Sequence, residues 1–294
     1  MIPNSVLGLF PQNAQNALLA LPGANSAEEI RIRAGRPIEV CFGNSPVALD
    51  LIAGQEMVLA VVSNAAKKSL YAHEEQLKNG FLTIEGGHRV GFCGRVHRSG
   101  ESISLIDNFS SANIRIAREI KGSASQVLPY VREGARVLSA LIVSAPGVGK
   151  TTVLRDLARV ISDAGMKVGI IDERCEIACC VDGTPTLDVG KRSDVLDNCP
   201  KAAGVMLLAR SMSPQVIITD EIGGQLDYEA LLSAAACGIS VLASAHASSI
   251  SELLSKAYLK PIIDSRLFDR YIFIKRTASG IGPSEAYNAE MERI

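Results

Sequence analysis

The sequence predicts an α/β chain, with a mainly parallel, helix-covered sheet in its C-terminal part and a smaller mixed α/β domain before it. Three observations predict this. From about residue 137, short apolar runs alternate with helical patterns, which is how a parallel sheet with crossover helices reads. One such run, residues 137–143, leads into Ser144-Ala145-Pro146-Gly147-Val148-Gly149-Lys150-Thr151-Thr152, a glycine-rich turn that opens a helix. Before residue 120 the pattern is instead one of short alternating strands and tight turns. A chain of 294 residues has room for two domains. The boundaries read as 1–120 for the N-terminal domain, 121–136 for a linker with a leading helix, and 137–294 for the C-terminal domain.

Element by element, residues 1–21 read as one amphipathic helix. They lack a basic start, and Asn4, Gln12, Asn13, Gln15 and Asn16 interrupt them, unlike a signal peptide. Residues 30–33 and 38–42 alternate as strands around the turn Ala34-Gly35-Arg36-Pro37. A helical pattern covers 65–77 and stops at Asn79-Gly80. Residues 81–84 and 89–96 form a hairpin about Glu85-Gly86-Gly87, and 114–118 a last short strand. Lys121-Gly122-Ser123-Ala124-Ser125 reads as a linker. Beyond the glycine-rich turn come a helix at 153–161, strands at 168–172, 216–220 and 239–244, and a helix at 226–237 closed by Gly238. Ser249 and Glu252 predict a capping box.

Composition narrows the function. Thirty basic and 31 acidic residues give no general basic character, and aromatics are only 4% with no Trp, so a nucleic-acid binder is not indicated. No run approaches the ~18 apolar residues of a membrane span, which places the chain in the cytoplasm. Seven cysteines show no zinc spacing, and Cys175, Cys179 and Cys180 have no histidine nearby.

The chemistry lies at the strand ends, where open α/β sheets bind ligands. Ser144 through Thr152 is a phosphate-binding loop: glycines admit the anion, helix N–H groups face it, Lys150 reaches the β- and γ-phosphates, and Thr151 offers its hydroxyl to Mg²⁺. The motif departs from its usual form at Ser144, where Gly is customary. Strand 216–219 runs into Asp220-Glu221. There Asp220 would hold Mg²⁺, and Glu221 would orient or deprotonate the attacking water. Asp172, Glu173 and Glu176 follow another strand, and His246 ends a third; each is a candidate beside the γ-phosphate, as is Arg210 near this edge. The N-terminal domain carries Arg31, Arg33, Arg36, His88, Arg89, Arg95, Arg115 and Arg118. One or two of Arg89, Arg95, Arg115 and Arg118 would stabilise a transferring phosphoryl group from a neighbouring domain or subunit.

With these residues assembled, the chain resembles the secretion-ATPase superfamily, the motors of type II secretion, type IV pili and type IV secretion. Their four boxes on a RecA-like P-loop core are matched by residues 144–151 (Walker A), 170–176 (acidic box), 216–223 (Walker B) and 245–247 (histidine box). More specifically it resembles the stage III sporulation AA family of endospore formers. The matching stretches are Glu29-Ile30-Arg31-Ile32-Arg33, Gly86-Gly87-His88-Arg89-Val90-Gly91, Asn113-Ile114-Arg115-Ile116-Ala117-Arg118, Asp172-Glu173-Arg174, Asp194-Val195-Leu196-Asp197 and Arg210-Ser211-Met212-Ser213-Pro214. The resemblance implies a homohexameric ATPase using ATP and Mg²⁺ in the mother-cell cytoplasm. Its partners would be membrane proteins of the same sporulation operon, of the stage III AB type, through which it would associate peripherally with the membrane. Together they would serve a channel between mother cell and forespore. By motif position it implies Glu221 as catalytic glutamate and Arg115 or Arg118 as an arginine finger acting in trans. Secretion motors often carry Gly where this chain has Asp220.

The sequence also admits three other readings: a nucleotide-gated scaffold with negligible hydrolysis, a general secretion or pilus motor, and a P-loop enzyme acting on a small molecule or nucleic acid. Single-turnover hydrolysis separates the first from an ATPase, and salt-dependent DNA binding tests the last.

Overall fold

Two prolines divide the N-terminal stretch that the sequence predicts as one helix. In this computed structural model, α1 (Asn4–Leu7) and α2 (Gln12–Ala20) each start directly after a proline, Pro3 and Pro11. Proline pushes the residue before it out of helical geometry but suits a helix start. The structure describes every residue except 1, 44, 68–79, 100, 101, 118, 278 and 279, and the backbone alone at 99, 102 and 104. It divides into two compact units, residues 1–118 and 119–294.

In the first unit, β1 (Glu29–Arg33) and β2 (Arg36–Phe42) flank Gly35, whose φ of +75° makes the tight turn. β3 (Ser45–Ala53) and α3 (Gln55–Ala65) follow; neither was expected from the sequence. Ala65 closes α3, and the rest of the helix expected over 65–77 falls almost wholly outside the described residues. β4 (Phe81–Ile84) and β5 (His88–Ser99) form the expected hairpin. The short strand expected at 114–118 is the end of the 14-residue β6 (Ser102–Arg115), paired with both β5 and β1. Among the described residues the sheet is antiparallel throughout, in the order β3-β2-β1-β6-β5-β4. Alternation puts Ile30, Ile32, Val90, Phe92, Ala112 and Ile114 in the core shared with α2 and α3. The intervening positions, Arg31, Arg33, Arg89, Asn113 and Arg115, lie on the other face.

The expected linker belongs to the second unit. Ser123 and Ala124 are buried there: the Ser123 hydroxyl donates to the Thr152 carbonyl, and the Ala124 N–H donates to the Asp156 carboxylate, at 3.1 and 2.9 Å. Lys121 pairs with Asp188 at 2.5 Å. After α4 (Leu128–Val131) and the ribbon of β7 (Arg132–Glu133) and β8 (Arg136–Val137) comes β9 (Ala140–Ser144), buried at every position. Then follow α5 (Lys150–Asp163), β10 (Val168–Asp172), β11 (Ser193–Asp197), α6 (Lys201–Ser211), β12 (Val216–Glu221), α7 (Gln225–Ala236) and β13 (Ser240–His246). The chain closes with α8 (Ile250–Ser255), α9 (Lys260–Asp264), β14 (Arg270–Thr277) and β15 (Gly280–Asn288). The Ser249–Glu252 cap forms, with Glu252 N–H on Ser249 Oγ at 3.2 Å.

The sheet order is β11-β10-β12-β13-β9-β14-β15, parallel but for the β14–β15 pair. Side chains alternate across it. Leu141, Val143, Ile217 and Val241 pack under α6 and α7, and Ala140, Ile142, Ile218 and Leu242 under α5. The edge strands β11 and β15 escaped the sequence reading because edges tolerate polar residues, Gly and Pro: β11 is Ser-Asp-Val-Leu-Asp, and Pro283 lies within β15.

Candidate active site

Register brings the strand ends together. Ser144 of β9 pairs with His246 of β13, and Glu221 of β12 pairs with Ser244, so three of the sequence-selected segments share one edge. Between β9 and α5 the loop needs left-handed backbone at Gly147 (φ +76°) and Gly149 (φ +121°). A Cβ on Gly149 would lie 2.5 Å from Ile281 Cδ1. Ser144 is not among the positive-φ residues, so the absence of the customary Gly leaves the turn intact. Its hydroxyl donates to the Ala145 carbonyl at 2.8 Å. No side chain caps the start of α5, which leaves its first-turn N–H groups to an anion. From β14, Arg276 donates to the carbonyls of Val148 and Gly147 at 3.3 and 3.4 Å.

Lys150 is buried, and its Nζ donates to the Ser144 carbonyl at 3.3 Å and lies 2.7 Å from His246 Nδ1. An ammonium only donates, so Nδ1 is the acceptor and the proton of a neutral imidazole sits on Nε2. Nε2 is 3.0 Å from Glu221 Oε2. A polar line therefore runs Lys150–His246–Glu221. Arg174 Nη1 approaches the same Glu221 oxygen at 3.6 Å, and Lys256 donates to the His246 carbonyl. Burial lowers the Lys150 pKa to about 8; Lys256 works the same way and Glu221 opposes it.

The acids after β10 separate by role. Asp172 is fully buried and accepts four backbone N–H groups, from Glu176, Ile177, Ala178 and Cys179, at 2.8 to 3.4 Å. It shapes the turn, and its oxygens are committed there. Glu176 is set on this turn by its N–H on Asp172 and its carbonyl under Arg155. Glu173 and Asp220 share Lys201, whose Nζ lies 2.8 Å from Asp220 Oδ1 and also contacts Glu173. Burial works to discharge Lys201, but its bonds to Asp220 and Glu173 outweigh this and raise its pKa.

A Mg²⁺ ion fits this donor set. Asp220 keeps Oδ2 buried without a hydrogen-bond partner, and Thr151 stands in the first turn of α5. Among the described residues no three acids, histidines or cysteines converge to cage a metal alone. The cysteines are free thiols, and burial pushes those of Cys179 and Cys180 up to about 12, so they are poor ligands.

In the first unit, Arg115 is exposed on β6, beside Arg89 of β5 and Glu29 of β1. The Arg89 guanidinium stacks 3.5 Å from the Phe81 ring centre. Phe81, Arg89 and Arg115, with Gly80, Gly91 and Asn113, line a cavity of about 310 Å³. Arg31 and Arg33 are paired with Glu29 and Glu39 at 2.9 and 2.7 Å. Arg95 lies opposite Asp107, and Arg118 falls outside the described residues. His88 is buried and accepts the Ala117 N–H at 3.0 Å.

The profile of the family "Sporulation stage III, protein AA" matches residues 19–293. The chain belongs to that family. Stage III sporulation protein AA of Bacillus subtilis (strain 168) is 42% identical over 294 residues, covering 98% of this chain and 95% of that protein. Among solved structures, the ATPase DotB of Legionella pneumophila superposes with a TM-score of 0.62 at 16% identity, over 95% of this chain and 82% of that one. The pilus retraction motor PilT, solved with bound ADP, gives 0.61 at 16% identity, over 95% and 81%. At that identity the likeness is one of fold: this member of the sporulation stage III AA family has the RecA-like architecture of secretion ATPases with an N-terminal domain.

Three cations of this family member escaped the sequence reading, Lys201, Arg276 and Lys256, and Arg174 was given no role by itself. Arg276 lies well over a hundred residues beyond the loop, and no local pattern marks it. Lys201 did leave a signal. It follows Pro200 at the first position of α6, where the helix dipole disfavours a cation, so a compensating acid was required. Arg210, in the last turn of α6, sits where the dipole favours it.

Proposed function

We propose that this protein is a secretion-type ATPase that hydrolyses Mg·ATP to drive or assemble the mother cell–forespore channel during endospore formation. The observation that carries the reading is the line Lys150–His246–Glu221, which joins the phosphate loop to the acid at the end of β12. In this reading residues 144–152 wrap the phosphates, and Lys150 exchanges His246 for phosphate oxygens. Thr151 and Asp220 hold Mg²⁺, which neutralises phosphate charge. Glu221 takes a proton from the attacking water as its oxygen bonds to the γ-phosphorus and the bond to the β-phosphate oxygen breaks, releasing ADP and phosphate. His246 reports the change between loop and acid, and Glu176 lies on the same edge. Arg115 or Arg118 of a neighbouring copy completes the site in a homohexamer. The protein works in the mother-cell cytoplasm against membrane proteins of its operon. No helix among the described residues is long and apolar enough to cross a membrane.

The test is a pair of variants. Lys150→Ala is expected to lose ATP binding and turnover. Glu221→Gln is expected to bind ATP as the parent does and to turn it over about a hundredfold or more slowly. Undiminished hydrolysis by Glu221→Gln removes Glu221 from the chemistry. One observation favours a second reading, a nucleotide-gated scaffold: Glu221 is engaged by His246 and Arg174, and Asp220 by Lys201. Single-turnover hydrolysis by the purified oligomer separates the two, because a scaffold releases ATP intact.

A further inference from the structure

We infer that Lys201 is a positioning residue, an internal cation that holds the Asp220 carboxylate in place and keeps the site from taking a divalent ion until a nucleotide brings one. This rests on the ATPase reading above. Lys201 is only 3% exposed and opens α6, so both burial and the helix dipole disfavour its charge. Two carboxylates hold it there, Asp220 through Oδ1 at 2.8 Å and Glu173. Asp220 is 4% exposed and both its oxygens are buried without a hydrogen-bond partner; the ion pair with Lys201 is made by Oδ1 and not by Oδ2. Oδ2 remains for a metal ion or one of its waters. The adjacent Asp172 contributes no free oxygen, since its carboxylate is spent on four N–H groups.

The local charge follows directly. Glu173, Asp220 and Lys201 together carry one net negative charge, where the two acids alone would carry two. An ammonium in contact with Asp220 repels a divalent ion at the same carboxylate, and this repulsion is strong where water is excluded. Free Mg²⁺ is therefore held weakly. The phosphates of ATP add the missing negative charge, and metal and nucleotide enter together. Lys201 meanwhile spares Asp220 the cost of being a buried, unpaired carboxylate.

The experiment titrates Mn²⁺ alone, followed by its electron paramagnetic resonance signal, into the nucleotide-free full-length protein. Lys201→Gln is expected to bind Mn²⁺ about tenfold or more tightly than the parent. Lys201→Arg, which keeps the charge, is expected to bind as weakly as the parent. Equal Mn²⁺ affinity in Lys201→Gln and the parent overturns the inference, as does Lys201→Arg binding as tightly as Lys201→Gln. If Lys201→Gln is unfolded without metal, its circular dichroism in millimolar Mg²⁺ decides: recovery of the fold supports the internal-cation role, and a chain unfolded at every Mg²⁺ concentration refutes it. Mn·ATP binding to the parent is the control. A parent that takes up no Mn·ATP defeats the ATPase reading itself, whereas a parent that binds it beside an unaltered Lys201→Gln defeats the inference alone.

Discussion

Lys150 shows how a residue legible in the sequence acquires its properties from its surroundings. Its place at the end of a glycine-rich turn was readable; its pKa of about 8, against an ordinary 10.5, comes from burial beside His246. A phosphate chain favours the ammonium form, so above about pH 8 binding must take up a proton. ATP affinity is therefore expected to be flat up to about pH 8 and then to weaken by up to about tenfold per pH unit. Titration of a fluorescent ATP analogue from about pH 7 to about pH 9.5 checks this, and a flat profile would remove Lys150 from phosphate contact. The stability sign follows the same shift. Between about 8 and 10.5 the unfolded chain holds more protons than the folded one, so this residue's cost to stability is present below that window and disappears as pH rises through it. Glu221, Asp220 and Lys150 were each identifiable by type and spacing. Lys201 was not, because its meaning depends on Asp220 and Glu173, which lie 19 and 28 residues away in sequence.

At the scale of elements, buried strands were the most readable parts. β9, β10, β12 and β13 are apolar because both faces of the sheet are covered, and each ends in the polar residues that matter. By sequence, the turn after β10 is an acidic cluster, Asp172, Glu173 and Glu176. Its first acid proves structural: Asp172 gathers four N–H groups that no helix or strand would otherwise satisfy. Asp172→Ala is expected to destabilise the second unit by about 3 kcal/mol, since hydrogen bonds to a buried charge exceed ordinary ones and their loss strands buried donors. Asp172→Asn, which keeps one acceptor oxygen, should cost less. Urea denaturation orders the two, and equal stability of Asp172→Ala and the parent would exclude this role. Edge strands and the helix α3 were missed for a common reason. β15 carries Gly and Pro, β11 is half polar, and α3 contains the β-branched run Val61-Val62, so local preference there gives way to tertiary packing.

At the scale of the whole molecule, His88 makes the first unit sensitive to acid. Burial lowers the His88 pKa to about 4 from 6.5, so the unfolded chain binds a proton in that window that the folded first unit refuses. Stability from this group is complete above about pH 6.5 and falls as pH drops toward 4, by up to about 3 kcal/mol. His88→Asn, whose amide oxygen can still accept the Ala117 N–H, is expected to flatten that part of the pH profile. Thermal melts of the full chain at several pH values measure it, and an unchanged slope would show that His88 is not the responsible group. The sequence by itself determined the α/β class, the change of character before residue 120, and the glycine-rich turn between an apolar strand and a helix. These are local facts: strand periodicity, glycine at positive φ, and a lysine at a helix start. Only the tertiary structure decided that residues 121–125 belong to the second unit, that Asp172 caps a turn, and that Lys201 pairs with Asp220. It alone joined Lys150 to Glu221 through His246. Those are contacts between chain segments far apart in sequence, and their energies depend on burial and register, which no local pattern encodes.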